Sequence, residues 1–437
     1  MPLTFDELRR IVERHFIVFE AYMDLDGTPT FILPSSQDTK IPFQNLMEEL
    51  SKYDLIALLR KSEGFPQRYR IFTDYAPLEK EEPELIIKIF PHSEPKKTRR
   101  PIINILLFIA TICTISYTGL QQVQSYNLSG FLYQYFTLYV WNTYGDPLVL
   151  ISSFIGNLWG WYGDPAFTIT AFTISLLAII GLHEMGHYTI SRVRGQKASL
   201  PFFIPGFPPI GTFGAVIFQR TPTLNRDRLF ELGLMGPLTG FIITLIILVI
   251  SVHLTPFVYP PIVYYQAVFE LQILSEYGSD IYYSLLNAGF PSIFLLPYSN
   301  PYKFPLLYET IVSFLRPTPI FTLMAIHPMS WAAWIGMLVT GLNLFPIGML
   351  DAGHMARSFL SQKQQLIASI VAAVSMVLIS DAYLLMAFFA LFTMSRGGHP
   401  GPLDDVSTIA KWKIVVFAIM MVIAIITIPP LGFGYFF

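Results

Sequence analysis

His183-Glu184-Met185-Gly186-His187 lies near the end of a long apolar stretch, and Asn343-Leu-Phe-Pro346-Ile-Gly-Met-Leu-Asp351-Ala-Gly-His354 lies in another. Ionisable side chains are costly inside a bilayer, so their presence in two apolar runs points to function. On a helix His183 and His187 sit one turn apart on the same face, about 5–6 Å between Cβ atoms, which is the reach needed to share a zinc ion. Glu184 is rotated by about 100° from His183, so it flanks the metal and can take a proton from a zinc-bound water. In a soluble helix the same pentapeptide is often a solvated pair. In an uncharged apolar run the three groups would go unpaired in lipid, which weighs against chance.

Zinc held by two histidines needs a third protein ligand and an open position. Asp351 is the leading candidate, because its apolar stretch is broken by Pro346, Gly348 and Gly353, and interrupted helices at membrane depth line cavities or are buried in protein. The bland alternative is an interfacial Asp that caps the next helix. His354, three residues on, is read as supporting the ligand or as interfacial, with metal ligation as the lesser alternative, and Pro346 as supporting the ligand. Asn343 could donate a hydrogen bond to an oxyanion or hold a substrate backbone; an interhelical polar contact is an equal reading.

The elements that must position these groups are membrane helices. Of 437 residues 53% are hydrophobic and 13% charged, with a mean hydropathy of +0.51, outside the range of soluble globular domains. Roughly 20 apolar residues cross the hydrocarbon, which picks out spans near 101–120, 166–192, 230–252, 327–347 and 411–430. Residues 365–395 form either one tilted span or two short ones hinged at Ser380-Asp381. The basic residues Lys96 to Arg100, Arg192, Arg194, Lys197, Arg220, Arg226, Arg228, Arg357, Lys363, Arg396, Lys411 and Lys413 all fall on one side only if that segment is a hairpin. The expectation is a polytopic α-helical protein with about seven transmembrane helices and a cytoplasmic N-terminus. Residues 121–165 and 255–326 then hug the far side. At 1.5 Å per residue from Arg192, the metal would lie roughly 7–14 Å inside the cytoplasmic boundary.

Ahead of the spans, residues 1–75 read as a small soluble α+β domain. Helices are expected at Thr4 to Arg14 and Phe43 to Lys52, strands at Phe16 to Tyr22 and Thr30 to Leu33, and a hairpin joining Leu55–Arg60 to Tyr69–Phe72. A charged, Pro-rich linker, 76–100, follows, with a possible strand at Leu85 to Phe90. The remainder, 101–437, forms the membrane domain, with its chemistry in about 166–360. No cleavable signal pattern opens the chain. The net charge of -2 gives no basic field for nucleic acid, which is set aside as a partner. Cys113 is the only cysteine, so an intrachain disulfide and Cys-rich metal sites are excluded. His15, His92, His253, His327 and His399 lack metal-ligand spacing and are expected to be exposed or interfacial.

Residues 201–219 are apolar, short and rich in Pro and Gly, and are expected to form a re-entrant hairpin. Gly211, Thr212, Phe213, Gly214 and Ala215 begin a strand-like alternation. Unpaired backbone there would be costly in lipid, and an extended substrate could satisfy it by β-addition. The alternative is a hairpin that only plugs the bundle. Gly233, Gly236 and Gly240 read as helix-packing positions.

The pairing of His-Glu-Met-Gly-His with Asn-Leu-Phe-Pro-Ile-Gly-Met-Leu-Asp-Ala-Gly-His resembles the site-2 protease family of intramembrane zinc metalloproteases, whose second signature is Asn-x-x-Pro followed by Leu-Asp-Gly. Here Ala352 replaces that glycine. The likeness covers about Phe167 to Phe359, including Gly211-Thr-Phe-Gly214-Ala and Gly236-Pro237-Leu-Thr-Gly240. With a soluble N-terminal domain it is most similar to the plastid, cyanobacterial and archaeal branch. The resemblance implies zinc (Zn2+) ligation by His183, His187 and Asp351, with Glu184 as catalytic acid and base. It also implies membrane-spanning protein substrates, cleaved within or near the lipid bilayer. A non-proteolytic scaffold that keeps the fold is the alternative, though loss of Glu184 or a histidine would be its signature. The substrate and oligomeric state are not legible.

Overall fold

A computed structural model describes residues 3–62, 85–92, 101–144, 164–255, 257–258, 304–317, 323–324, 327–380, 383–395 and 399–429. Tyr69–Phe72 and most of the expected far-side segments lie outside the described residues.

The chain opens with α1 (Phe5–Glu13), closed at its N-terminus by a Thr4–Glu7 capping box that satisfies two orphan backbone donors. β1 (Glu20–Met23) and β2 (Pro29–Leu33) form a hairpin around Gly27, followed by α2 (Lys40–Ser51) and β3 (Leu55–Lys61). β4 (Leu85–Pro91) pairs antiparallel with both β2 and β3. The sheet order is therefore β1-β2-β4-β3. The possible strand expected at Leu85 to Phe90 within the linker is this β4, and it belongs to the sheet. Its Leu-Ile-Ile-x-Ile run buries Leu85, Ile87 and Ile89 against α1 and α2, and that burial draws it into the sheet.

α3 runs from Pro101 to Tyr144, well past the expected end at 120, because residues 121–144 contain no proline. α4 (Pro165–Val193) starts with Asp164 accepting from the Ala166 N–H at 3.0 Å and Pro165 in the first turn. A two-stranded hairpin, β5 (Phe202–Pro205) with β6 (Thr212–Val216), follows. α5 (Arg226–Leu254) is capped by Asn225. β7 (Phe257–Val258) pairs with β8 (Leu323–Met324), with α6 (Leu306–Leu315) between them in sequence. α7 (Pro328–Asn343) buries Trp331 through Met337 and is packed by α4 and α5. Apolar and buried all round, it is the central helix. The chain ends with α8 (Asp351–Arg357), α9 (Gln362–Ile379), α10 (Leu384–Ser395) and α11 (Trp412–Thr427).

Among the described residues four helices are long and apolar enough to cross a membrane: Ile102–Val123, Pro165–Val193, Arg226–Leu254 and Gln362–Ile379. The stretch 365–395 is divided, α9 ending at Ile379 and α10 beginning at Leu384.

The N-terminal sheet is joined to the membrane core. Leu59 on the edge strand β3 donates to the Leu403 carbonyl at 2.9 Å, and Leu403 and Asp404 donate at 2.8 Å to Thr223 and Leu224 just ahead of α5. The edge of the sheet is thereby covered. Asp405 receives Arg357 at 2.9 and 2.5 Å and Arg226 at 3.1 Å. Lys40 pairs with Asp227, and Lys413 reaches Asp227 and Glu231, each at 2.9 Å.

Candidate metal centre

α4 presents His183 and His187 on one face, with ring centroids 5.1 Å apart. Both are buried, at 5% and 7% exposure. The Nδ1–H of His187 donates to the Leu232 carbonyl at 2.8 Å, which fixes the tautomer and leaves Nε2 with a free lone pair. Asp351, the first residue of α8, is brought to the same place by the broken segment after α7. Its Oδ2 lies 3.1 Å from His183 Nε2, its Oδ1 3.2 Å from His187 Nε2, and the two Nε2 atoms are 3.3 Å apart.

Donors about 2.0–2.1 Å from one tetrahedral zinc ion lie about 3.3 Å apart. The triangle of two imidazoles and a carboxylate thus fits such an ion in size and in chemistry. Glu184 offers a carboxylate oxygen within 4.8 Å of the donor nitrogens of both histidines, and the backbone N–H of Ile217, just beyond β6, lies near it.

α5 closes the other side of the triangle with small residues. A Cβ at Gly236 would fall on the His187 ring, one at Gly240 would meet His183 Nδ1 at 2.9 Å, and one at Gly233 would meet the Asp351 carbonyl and His354 Cβ. The glycines expected to serve helix packing thus pack directly on the two histidines and on the Asp351 turn. Gly348 makes that turn in the left-handed region, at φ +49°, which favours glycine. Ala352 is fully buried and fits where the family signature has glycine.

Asn343 ends α7, half-buried, with no hydrogen-bond partner among the described residues. Gly211 is packed on α3, where a Cβ would meet Ile115 Cα at 2.9 Å. Thr212 turns inward, its hydroxyl donating to the Ile204 carbonyl at 2.8 Å, while Phe213 is exposed. Gly214 and Ala215 continue β6. Pro346 lies in the break between α7 and α8, and its carbonyl accepts from Ser369 at 3.1 Å.

Two histidines depart from their expected exposure. His327 is buried because its Nδ1 caps α7, accepting from the Met329 N–H at 3.1 Å. His399 is buried because it is wedged between Gly401, whose N–H donates to its Nδ1 at 2.9 Å, and His354, 2.6 Å from its Nε2. With Nδ1 accepting, the neutral ring carries its proton on Nε2 and donates to His354. Burial pushes His399 down to about 3. The Leu232 carbonyl, Ile217 N–H and His399 escaped the sequence reading. Backbone groups carry no residue signature, and His399 lies far from either motif.

A family model described as peptidase family M50 matches residues 171–382. Among curated proteins, probable zinc metalloprotease EGY2, chloroplastic, of Arabidopsis thaliana is 25% identical over 261 residues, 59% of this chain and 41% of that one. Probable zinc metalloprotease EGY1, chloroplastic, of Oryza sativa subsp. japonica is 25% identical over 260 residues, 59% of this chain and 40% of that one. An EGY2 protein of Oryza sativa subsp. indica is 28% identical over 224 residues, covering 50% and 35%. The chain spans about two fifths of the length of the first two of these relatives. No solved structure matches it. The matched stretch runs from within α4 to just ahead of α10 and includes both motifs, and over it the chain is similar to peptidase family M50, the site-2 protease family.

Proposed function

We propose that this chain is a zinc metalloprotease that hydrolyses a peptide bond within or near the membrane-spanning segment of a protein substrate. The observation that carries the reading is the buried triangle of donors 3.1–3.3 Å apart with Glu184 beside it. In this reading His183 and His187 hold zinc through Nε2 and Asp351 through its carboxylate. Bound there, zinc lowers the pKa of a water molecule and polarises a carbonyl oxygen. Glu184 takes the proton of the attacking water and delivers it to the leaving amine. The Leu232 carbonyl holds His187 in the required tautomer.

The substrate strand lies along β6. Among the described residues β6 is paired only with β5, so its other edge has backbone groups to offer. Its continuation at Ile217 lies near Glu184, which brings an extended chain bound along Gly211, Thr212, Phe213, Gly214 and Ala215 close to the acid/base. β-Addition also solves the problem of the substrate helix, whose amide is shielded until it unwinds. Asn343 faces the bound backbone with a free amide, while Pro346 and His354 support Asp351. The membrane domain, 101–437, has seven spans with α9 and α10 as a short hairpin, a re-entrant β5–β6 hairpin, and a cytoplasmic N-terminus.

The test is cleavage of a single-span substrate in detergent by the full chain and by Glu184→Gln, with zinc quantified in each. Both are expected to bind about one zinc, and only the unsubstituted chain to cleave, in a chelator-sensitive way. Equal cleavage by both removes Glu184 from the mechanism. Zinc binding without cleavage by either, across a substrate panel, favours a scaffold that retains the fold.

A further inference from the structure

The segment between α7 and α8 carries Asp351 and has a problem of its own. A helix that stops at Asn343 and restarts at Asp351 leaves backbone donors and acceptors unpaired, and at membrane depth water is not at hand to satisfy them. Two side chains of α9 meet this need. Gln365 Nε2 donates to the carbonyls of Gly348 and Gly353, each at 3.2 Å. Ser369 Oγ donates to the Pro346 carbonyl at 3.1 Å and accepts from the Gly348 N–H at 3.1 Å. The two residues are one helical turn apart, and both are completely buried.

Their four hydrogen bonds bracket Asp351, falling on Pro346 and Gly348 before it and on Gly353 after it. A single amide group, that of Gln365, ties the two sides of the turn together. Gln365 also leaves its own Oε1 without a partner among the described residues. A buried acceptor left so costs about 1–3 kcal/mol, a cost that a leucine of similar size would avoid. Core packing alone therefore does not account for glutamine here; a requirement for its two N–H donors does.

We propose that Gln365 and Ser369 are positioning residues for the Asp351 ligand, holding its carboxylate at the distance the two histidines require. The proposal rests on the reading of Asp351 as a ligand. Metal–ligand distances tolerate only about 0.2 Å, and loss of groups that orient ligands lowers metal affinity about 10–100-fold.

The experiment is zinc affinity by chelator competition on the detergent-purified full chain, with the cobalt(II) absorption spectrum as a second readout and the unfolding midpoint of the metal-free protein alongside. The variants are Gln365→Leu, Ser369→Ala, Ser369→Thr and Asp351→Asn. Ser375→Ala is the control, since that hydroxyl bonds only to Val371 of its own helix. Gln365→Leu and Ser369→Ala are expected to weaken zinc binding about 10–100-fold and to alter the cobalt spectrum. Ser369→Thr, which keeps the hydroxyl, is expected to restore most of the affinity, and Ser375→Ala to change nothing. Should Gln365→Leu not purify folded, Ser369→Ala decides, as the smaller change. Zinc affinity within about twofold of the unsubstituted chain in the folded alanine and leucine variants, while Asp351→Asn loses the metal, overturns this proposal alone. Such a result would hold even if the metal-free midpoint fell, since ordinary core hydrogen bonds would do that. Full affinity in Asp351→Asn overturns the ligand assignment and this proposal with it.

Discussion

Gly236→Ala tests the proposed metal centre at its tightest point. A methyl group there would fall on Nε2, Cε1 and Cδ2 of the His187 ring. Comfortable contact begins at about 3.5 Å, so the ring or α5 must retreat by on the order of 1 Å, several times the roughly 0.2 Å that metal ligation tolerates. At Gly240 the nearest atoms of His183 lie 2.9, 3.2 and 3.4 Å from the built Cβ, so the required retreat is about 0.6 Å, well under half of that at Gly236, and it falls on the Nδ1 side of the ring, away from Nε2. Helix propensity works in the opposite direction, since alanine in a helix interior gains about 0.5–1 kcal/mol over glycine. Overpacking costs about 1–3 kcal/mol, so the net loss of stability is about 0–2.5 kcal/mol. Zinc binding changes a great deal. If four-ligand sites are worth about 10–16 kcal/mol, one lost ligand removes about 3–4 kcal/mol, or 10²–10³-fold in affinity. The expected outcome is a loss of about that size for Gly236→Ala and of less than about tenfold for Gly240→Ala, read by chelator competition on metal-stripped protein with the unfolding midpoint measured alongside. A folded Gly236→Ala variant that binds zinc as tightly as the unsubstituted chain would refute the reasoning.

Removing Asp405 leaves the buried Arg357 guanidinium, 3% exposed, without its carboxylate. Asp405→Ala is expected to cost about 3–5 kcal/mol, read as a lower unfolding midpoint in detergent; a cost below about 1 kcal/mol would mean the cluster is effectively solvated. His399 gives a pH dependence. Burial holds it down to about 3, below the ordinary value near 6.5, so as pH falls through about 6.5 the unfolded chain takes up a proton that the folded chain refuses. Its contribution to stability is therefore complete above about pH 6.5 and is lost toward pH 3, at up to about 1.4 kcal/mol per pH unit. His399→Gln should flatten the fall of the unfolding midpoint between pH 6.5 and 4 by that slope. Parallel curves for the two proteins would mean that His399 can be protonated without opening the loop.

What could be read from the sequence, and what could not, divides along a physical line. His183, Glu184 and His187 were legible because helical spacing converts residue numbers directly into a shared face, and because an apolar run makes ionisable groups conspicuous. Asp351 was legible through the proline and glycines that break its helix. The division at 365–395 was visible as a polar pair in an apolar run. The central place of Leu85–Pro91 in the sheet was harder to see. A buried strand and an apolar fragment in a charged stretch look alike until their partners are known, and β4 pairs with strands more than 20 residues away.

The groups around the ligands are of a different kind. Gln365, Ser369 and His399 are common polar residues whose meaning comes only from the backbone they meet. The Leu232 carbonyl and Ile217 N–H belong to residues whose side chains have no part in the contact. The three glycines of α5 were conspicuous, but helix spacing could say only that something approaches closely, not that two of the approaching groups are imidazole rings. A candidate metal site inside a helical bundle thus announces its candidate donors in sequence and conceals the contacts that aim them. The variants most informative about this protein are accordingly those at Gly236, Gln365 and Ser369, where no donor is removed and only its placement changes.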